Sequence, residues 1–281
     1  MPANIRADQN SVYLAADVIG RSNMGLYRSV RELVGEYSQT GSILDVGCSD
    51  GIATIGLEGV TICGLDINEG ALRAARAHNP GFIAIRGDIR RPPFPATGLG
   101  DIDTVLALDI LEHEKRADTL SFLQGLRADL RPEHTIIASM PIVSLLTVDS
   151  LREGILAVRR RERPETGLFD RTHQILRGQR AHRKLFKDAG YAVVEEYRTN
   201  HFTDVTGDWK WQQAADANLY DPEAWLAVVT KDSRLEAPTK AVYRYAKELY
   251  DDAQNGHHPL GRKIMEAVTA YQGLYVLKPK V

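Results

Sequence analysis

The sequence predicts an α/β fold in which helices cover a largely parallel sheet. Three observations carry that expectation. The apolar runs Ile43–Asp45, Val60–Asp66 and Phe82–Asp88 each end in an acid. Helical patterns separate them, the alternation expected of parallel strands joined by crossover helices. Gly47 and Gly51 follow the first run, and residues without a Cβ reach positive φ and let a ligand approach the backbone.

The elements follow in order. Leu26, Val30, Leu33, Val34 and Tyr37 recur at helical spacing and predict an amphipathic helix over Met24–Tyr37,. Upstream, Val12–Ile19 predicts another helix, followed by the polar Gly20–Asn23. Gly41 and Ser42 turn the chain into the first strand, and Ile52–Ile55 opens a short helix after the glycine loop. The second strand, Val60–Asp66, leads into a helix from about Asn68 that stops at Asn79-Pro80-Gly81,. Asp66 lies about twenty residues past the loop's start, where a second strand brings a carboxylate to ribose hydroxyls. A helix N-cap is the other reading of Asp66.

Phe82–Ile89 is the third strand and Arg90–Gly100 a loop rich in proline and glycine,. Asp101–Asp109 is the fourth strand. It turns through Ile110–Glu114 into a helix with a Leu120, Leu123, Leu126 and Leu130 stripe. Helical offsets put Asp109, Glu112 and His113 on one face of that turn. His134–Met140 and Ala192–Tyr197 are the fifth and sixth strands, and Ala224–Thr230 is the expected last one. In the tail, Val242–Tyr250 and Ile264–Tyr271 show helical patterns, as a cap, a homodimer surface or packing on the core.

Composition narrows the partners. With 35 Lys+Arg against 37 Asp+Glu the net charge is −2, which gives no global attraction to nucleic acid or an anionic membrane,. Two cysteines without a C-x-x-C pair indicate neither a disulfide framework nor a structural zinc site,. No leader-like or membrane-spanning apolar run stands out, so a cytoplasmic protein is expected. The stretch Arg159–Arg163 reads either as a solvated helix face or as a pocket for an anionic substrate group,.

The segment Ser42–Gly51, built on Asp45-x-Gly47-x-Ser49-x-Gly51, resembles the acid-and-glycine loop of class I S-adenosylmethionine-dependent methyltransferases. Ser49 stands where that family carries its middle glycine. The spacing does not supply the G-x-G-x-x-G of a dinucleotide loop. The resemblance implies a Rossmann-like, doubly wound sheet of seven mostly parallel strands in the order 3-2-1-4-5-7-6, the last strand antiparallel, to which the helical patterns before and after it add helical N-terminal and C-terminal segments. It implies an N-terminal helical cap over 1–40 and a cofactor-binding domain over 41–232 with insertions near 142–170 and 198–223. A helical C-terminal extension over 233–281 follows.

The implied cofactor is S-adenosyl-L-methionine. Contacts to it are expected from Asp45, Gly47, Cys48, Ser49 and Gly51, from Asp66 and Ile67, from Asp88 and Ile89 at the adenine, and from Leu108. Phe169-Asp170-Arg171-Thr172-His173 resembles a segment of a subgroup of these enzymes, many of which act on small metabolites, sugars or their carriers. Gln174–Arg177 departs from that subgroup's pattern.

The chemistry expected is methyl transfer to a hydroxyl, and less so an amine, of a small-molecule acceptor. The catalytic candidates are His113, His173 and Asp109, because an imidazole that titrates near neutral pH suits a general base. A capping role for His113 and a structural one for His173 remain open. Tyr13, Arg21, Tyr27, Arg171 and Trp209 are the candidates for acceptor binding. A metal-free site is the leading expectation, and Asp109, Glu112, His113 and His173 are the alternative set for Mg²⁺ or Mn²⁺. Alternative classes are a metal-dependent RNA-terminal 2'-O-methyltransferase and a non-catalytic protein that binds the cofactor.

Overall fold

The computed structural model describes residues 25–91, 101–142, 178–201 and 270–280. Seven strands, β1 (Ser42–Val46), β2 (Thr61–Asp66), β3 (Ile83–Arg86), β4 (Thr104–Leu108), β5 (Thr135–Pro141), β6 (Tyr191–His201) and β7 (Ala270–Pro279), form one sheet. Their order is β3-β2-β1-β4-β5-β7-β6. β1 pairs in parallel with β2 on one side and β4 on the other, and Val46 stands opposite both Leu65 and Ala107. The β2–β3 and β4–β5 pairs are parallel as well.

β7 is the exception. Lys280 N–H donates to Gly190 O at 2.9 Å, just before β6, and Lys278 Nζ reaches Glu133 O at 3.3 Å, just before β5. The carboxyl end of β7 therefore lies at the amino ends of both neighbours, which is an antiparallel arrangement. This corrects the expected strand at Ala224–Thr230, which lies outside the described residues, because the strand between β5 and β6 comes from Ala270–Pro279. The sheet thus reaches into the segment expected to be a helical extension. Leu274, Tyr275, Val276 and Leu277 are all fully buried, and a short continuous apolar run does not reveal by its periodicity whether it is strand or helix.

Helices cover both faces. α1 (Gly25–Tyr37) lays Leu26, Val30, Leu33 and Val34 against Ile43, Leu106, Ile137, Leu274 and Val276. Tyr275, between two residues that face α1, points to the opposite side. There it meets Phe186 of α4 (Gln179–Asp188), with ring centroids 5.2 Å apart. α2 (Glu69–His78) packs Leu72 and Ala75 on Ile62 and Phe82. α3 (Arg116–Asp129) buries Phe122, Leu123 and Leu126.

Two buried histidines belong to this packing. His134 Nε2 pairs with Tyr191 Oη, and His182 Nδ1 with Tyr275 Oη, each at 2.9 Å. Burial holds the His182 imidazole down to about 4, so it stays neutral in the core.

The amino edge of the sheet is tied down by Asp103. Its carboxylate accepts from Ser38 Oγ at 2.9 Å, Gln39 N at 2.8 Å, Thr40 Oγ1 at 2.8 Å and Thr40 N. The turn that leaves α1 is thereby held at the start of β4. The chain divides into two compact units, residues 1–140 with 180–197 and 274–281, and residues 141–179 with 198–273. The site described below lies in the first. Among the described residues no helix is long and apolar enough to cross a membrane.

Candidate active site

The strand order reverses at β1, whose two neighbours lead the chain away in opposite directions. In an open α/β sheet the crevice beyond the carboxyl ends at such a point is the binding position. The loop that leaves β1 there is strongly bent: Gly47, Ser49 and Gly51 have φ of 68°, 51° and 73°. Gly47 N and Cys48 N donate to Leu65 O at 2.7 and 3.2 Å, and Gly51 N donates to Cys48 O at 2.8 Å. A Cβ on Gly47 would stand 2.7 Å from Ile110 Cγ1, so position 47 demands glycine on two counts. The expected helix after the loop is a single 3-10 turn, Ile52–Thr54. Donors to a ligand must therefore come from the loop rather than from a helix terminus.

The acids surround this loop. Asp66, at the end of β2, accepts from Ser49 N at 2.9 Å and Asn68 N at 2.7 Å. The N-cap of α2 is Asn68, whose side chain accepts from Gly70 N and Ala71 N. Capping is thus delegated, and the Asp66 carboxylate stays at the strand end. Asp45 is 2% exposed, and its Oδ2 has no hydrogen-bond partner. Burial, then the Asp66 and Asp50 carboxylates, push it up to about 7. Burial followed by Asp45 and Asp66 also raises the Cys48 thiol, which leaves it protonated and unreactive.

Beyond β3, Asp88 is held by Arg90. Arg90 N donates to Asp88 Oδ1 at 2.9 Å, Nε lies 2.9 and 3.1 Å from the two carboxylate oxygens, and Glu114 Oε2 stands 3.9 Å from the same Nε. Ile89 is buried, whereas Ile67, next to Asp66, keeps 38% of its surface exposed. At the end of β4, Leu108 is half-buried and Asp109 has φ 51°. Ser139 of β5 fixes Asp109: its Oγ donates to Asp109 Oδ1 at 2.9 Å and accepts from Asp109 N at 3.1 Å.

Leu111–His113 then forms a 3-10 turn. This corrects the shared face expected for Asp109, Glu112 and His113. Asp109 precedes the turn in a left-handed conformation, and Glu112 is 1% exposed while His113 is half-buried. Among the described residues no group of three or more His, Cys, Asp or Glu side chains could hold a metal ion, so these three do not gather as a ligand set.

Tyr27, a residue of α1, packs half-buried against the core. Tyr13, Arg21, Arg171, His173 and Trp209 lie outside the described residues. Sequence reasoning missed Arg90, which joins the site through a local contact two residues after Asp88, and Ser139, which joins it only in three dimensions. Their traces in the sequence are an arginine two positions after an acid and a lone hydroxyl inside the apolar β5 run.

The glycine loop at the reversal point, the acids at successive strand ends and the strand order together define a methyltransferase of the S-adenosylmethionine-dependent class. The chain belongs to the methyltransferase-domain family, whose model matches residues 22–196. Solved structures with the same fold include an S-adenosylmethionine-dependent methyltransferase from Archaeoglobus fulgidus, 15% identical, with TM-score 0.54 over 91% of this chain and 93% of that one. Phosphoethanolamine N-methyltransferase 2 from Haemonchus contortus, in complex with phosphomonomethylethanolamine and S-adenosylhomocysteine, is 15% identical. Its TM-score is 0.52, over 90% of this chain and 53% of that one. The [4+2]-cyclase SpnF, 12% identical, has TM-score 0.51 over 90% of this chain and 81% of that one. A search of the curated proteins finds no match.

The cofactor of the class is S-adenosylmethionine, and the residues present fit it. Asp45 Oδ2 and Ser49 Oγ are buried in the loop without a hydrogen-bond partner, and the carboxylate of Asp66 and the exposed side chain of Ile67 share one strand end.

Proposed function

We propose that this methyltransferase methylates a hydroxyl of a small-molecule acceptor, with His113 as general base. The observation that carries this is the end of β4, where Ser139 clamps Asp109 at φ 51° and His113 follows in the next turn. An imidazole is thereby mounted on a rigid carboxyl edge rather than on a long loop. S-adenosylmethionine, when bound, supplies an electrophilic methyl group on a sulfonium, so the protein's own task is placing and activating the nucleophile. A hydroxyl is a weak nucleophile until a base takes its proton, and histidine is the side chain whose ordinary pKa suits that at neutral pH. An amine acceptor needs less help and is the second expectation.

In this scheme Asp66 takes the ribose hydroxyls and Ile67 lies on the adenine. Asp88 and the Ile89 N–H read the adenine edge, and Asp45–Gly51 and Leu108 line the remainder. His173 is the second base candidate, and Tyr13, Arg21, Tyr27, Arg171 and Trp209 supply acceptor contacts. Arginine among them favours an acceptor that carries a phosphate or carboxylate.

The test is release of S-adenosylhomocysteine with a panel of hydroxylated and aminated metabolites. His113→Gln is expected to lower kcat by about 10²–10⁴-fold, with affinity for S-adenosylhomocysteine unchanged by calorimetry. Full turnover by that variant removes His113 from the role, and turnover of amines alone overturns the hydroxyl assignment.

A further inference from the structure

We propose that His78 is a positioning residue of the cofactor site, holding the glycine loop in its binding shape through the Asp50 carbonyl. His78 is the last residue of α2, and its Nδ1 lies 2.9 Å from Asp50 O, 28 positions earlier in the chain. A carbonyl only accepts, so Nδ1 carries the proton and donates.

The other backbone groups of the loop are held from elsewhere. Gly47 N and Cys48 N donate to Leu65 O and Ser49 N to Asp66, so β2 and its end fasten the first half of the loop. Gly51 N donates to Cys48 O, and Thr54 donates twice to Gly51 O. Asp50 O takes its bond from α2 instead. Asp50 is fully buried, and a buried carbonyl left alone is costly.

α2 supports the same stretch by contact. A Cβ on Gly51 would stand 3.0 Å from Ala75 Cβ and 3.3 Å from Ala75 Cα, so the loop lies directly on the helix. Ala75 and His78 are three residues apart and share that face. A basic side chain in the last turn of a helix ordinarily serves the helix's own carbonyls and dipole. Here Asn79 N–H meets Ala75 O, and the imidazole reaches the loop. Without that bond the Asp50 peptide is free to rotate, and the neighbouring N–H groups turn with it. His78 thus acts through the loop, and the proposal rests on the loop and Asp66 being where the cofactor binds.

Calorimetric titration with S-adenosylhomocysteine tests it in the natural protein, His78→Phe, His78→Asn and Asp66→Ala, alongside the Tm of each ligand-free protein. Phenylalanine keeps a ring without the donor, and asparagine offers an amide N–H near the Nδ1 position without the ring. His78→Phe is expected to bind about three- to tenfold more weakly, the range of one hydrogen bond, and His78→Asn to bind within about twofold of the natural protein. His78→Ala takes the place of His78→Phe where that variant does not fold.

Unchanged affinity in His78→Phe, whether or not its Tm falls, leaves the histidine a merely structural residue and overturns the proposal. A weakening in His78→Asn as large as in His78→Phe overturns it too. If Asp66→Ala loses binding in either case, the cofactor site itself stands. Undiminished binding by Asp66→Ala overturns instead the assignment of the loop and Asp66 to the cofactor.

Discussion

The Arg90 guanidinium clasps the Asp88 carboxylate, with Nε 2.9 and 3.1 Å from its two oxygens and Nη2 2.5 Å from Oδ2. Both oxygens of the acid proposed to meet the adenine amino group are thus engaged by the chain's own cation. The two partners are 46% and 27% exposed, so the pair is a solvent-screened one, worth about 0–1 kcal/mol. Removing the competitor should tighten cofactor binding. Arg90→Ala is expected to lower the Kd for S-adenosylhomocysteine by about two- to fivefold, the same energy expressed as affinity. A weaker Kd in that variant means that Arg90 supports the adenine site instead of competing for it.

Asp45 makes the ligand-free protein sensitive to pH. Its folded-state pKa, pushed up to about 7 by burial first and then by Asp66 and Asp50, lies above the ordinary carboxylate value of 3.8. The native state therefore holds a proton that the unfolded chain has released. Stability falls as pH rises between those two values and is level above the higher one. Asp45→Asn, which never charges, should melt progressively higher than the natural protein as pH rises from about 4 to about 7. A Tm difference that is the same at both ends of that window would contradict the assignment.

Gly64 tests packing behind the loop. A Cβ there would stand 2.0 Å from Phe82 Cζ, 2.3 Å from Phe82 Cε1 and 2.8 Å from Cys48 Sγ. Gly64→Ala is expected to destabilise by about 1–3 kcal/mol or more in urea unfolding, the usual cost of overpacking. Adding Phe82→Leu, which removes the clashing ring edge, should recover part of that loss. Equal stability of the single and double variants would place the strain elsewhere.

Asp103 tests the opposite edge of the sheet. Burial pushes its carboxyl up, but the hydrogen bonds from Thr40, Thr104 and Ser38 outweigh it, and the group titrates below the ordinary carboxylate value. Its contribution is fully present above the unfolded pKa of about 4 and is lost as pH falls through the lower folded value. Asp103→Ala should cost about 2–4 kcal/mol near neutral pH, for several bonds made to a charged group. Because this edge is remote from the glycine loop, the affinity of the surviving folded protein for S-adenosylhomocysteine should not change.

Much of this architecture was legible in local patterns. The stripe from Leu26 to Tyr37 predicts a helix that the structure places at Gly25–Tyr37, and the runs before Asp45, Asp66 and Asp109 predict β1, β2 and β4. Those signals are short-range, because a two-residue or 3.6-residue period is visible within one element. β7 was not legible. Its apolar run is too short and too uniform to declare its state, and only burial between β5 and β6 makes it a strand.

The sequence by itself determined that a glycine-bent loop leaves the first strand and that acids stand at the ends of the strands. Both follow from covalent order and local periodicity. Tertiary structure decided what those groups can do. It brought Ser139 onto Asp109, thirty residues away in sequence. It withdrew Asp45 from water, and it left Ser49 Oγ without a partner beside Asp66. Desolvation and hydrogen-bond satisfaction depend on every atom packed around a group, so they exist only once the chain has folded.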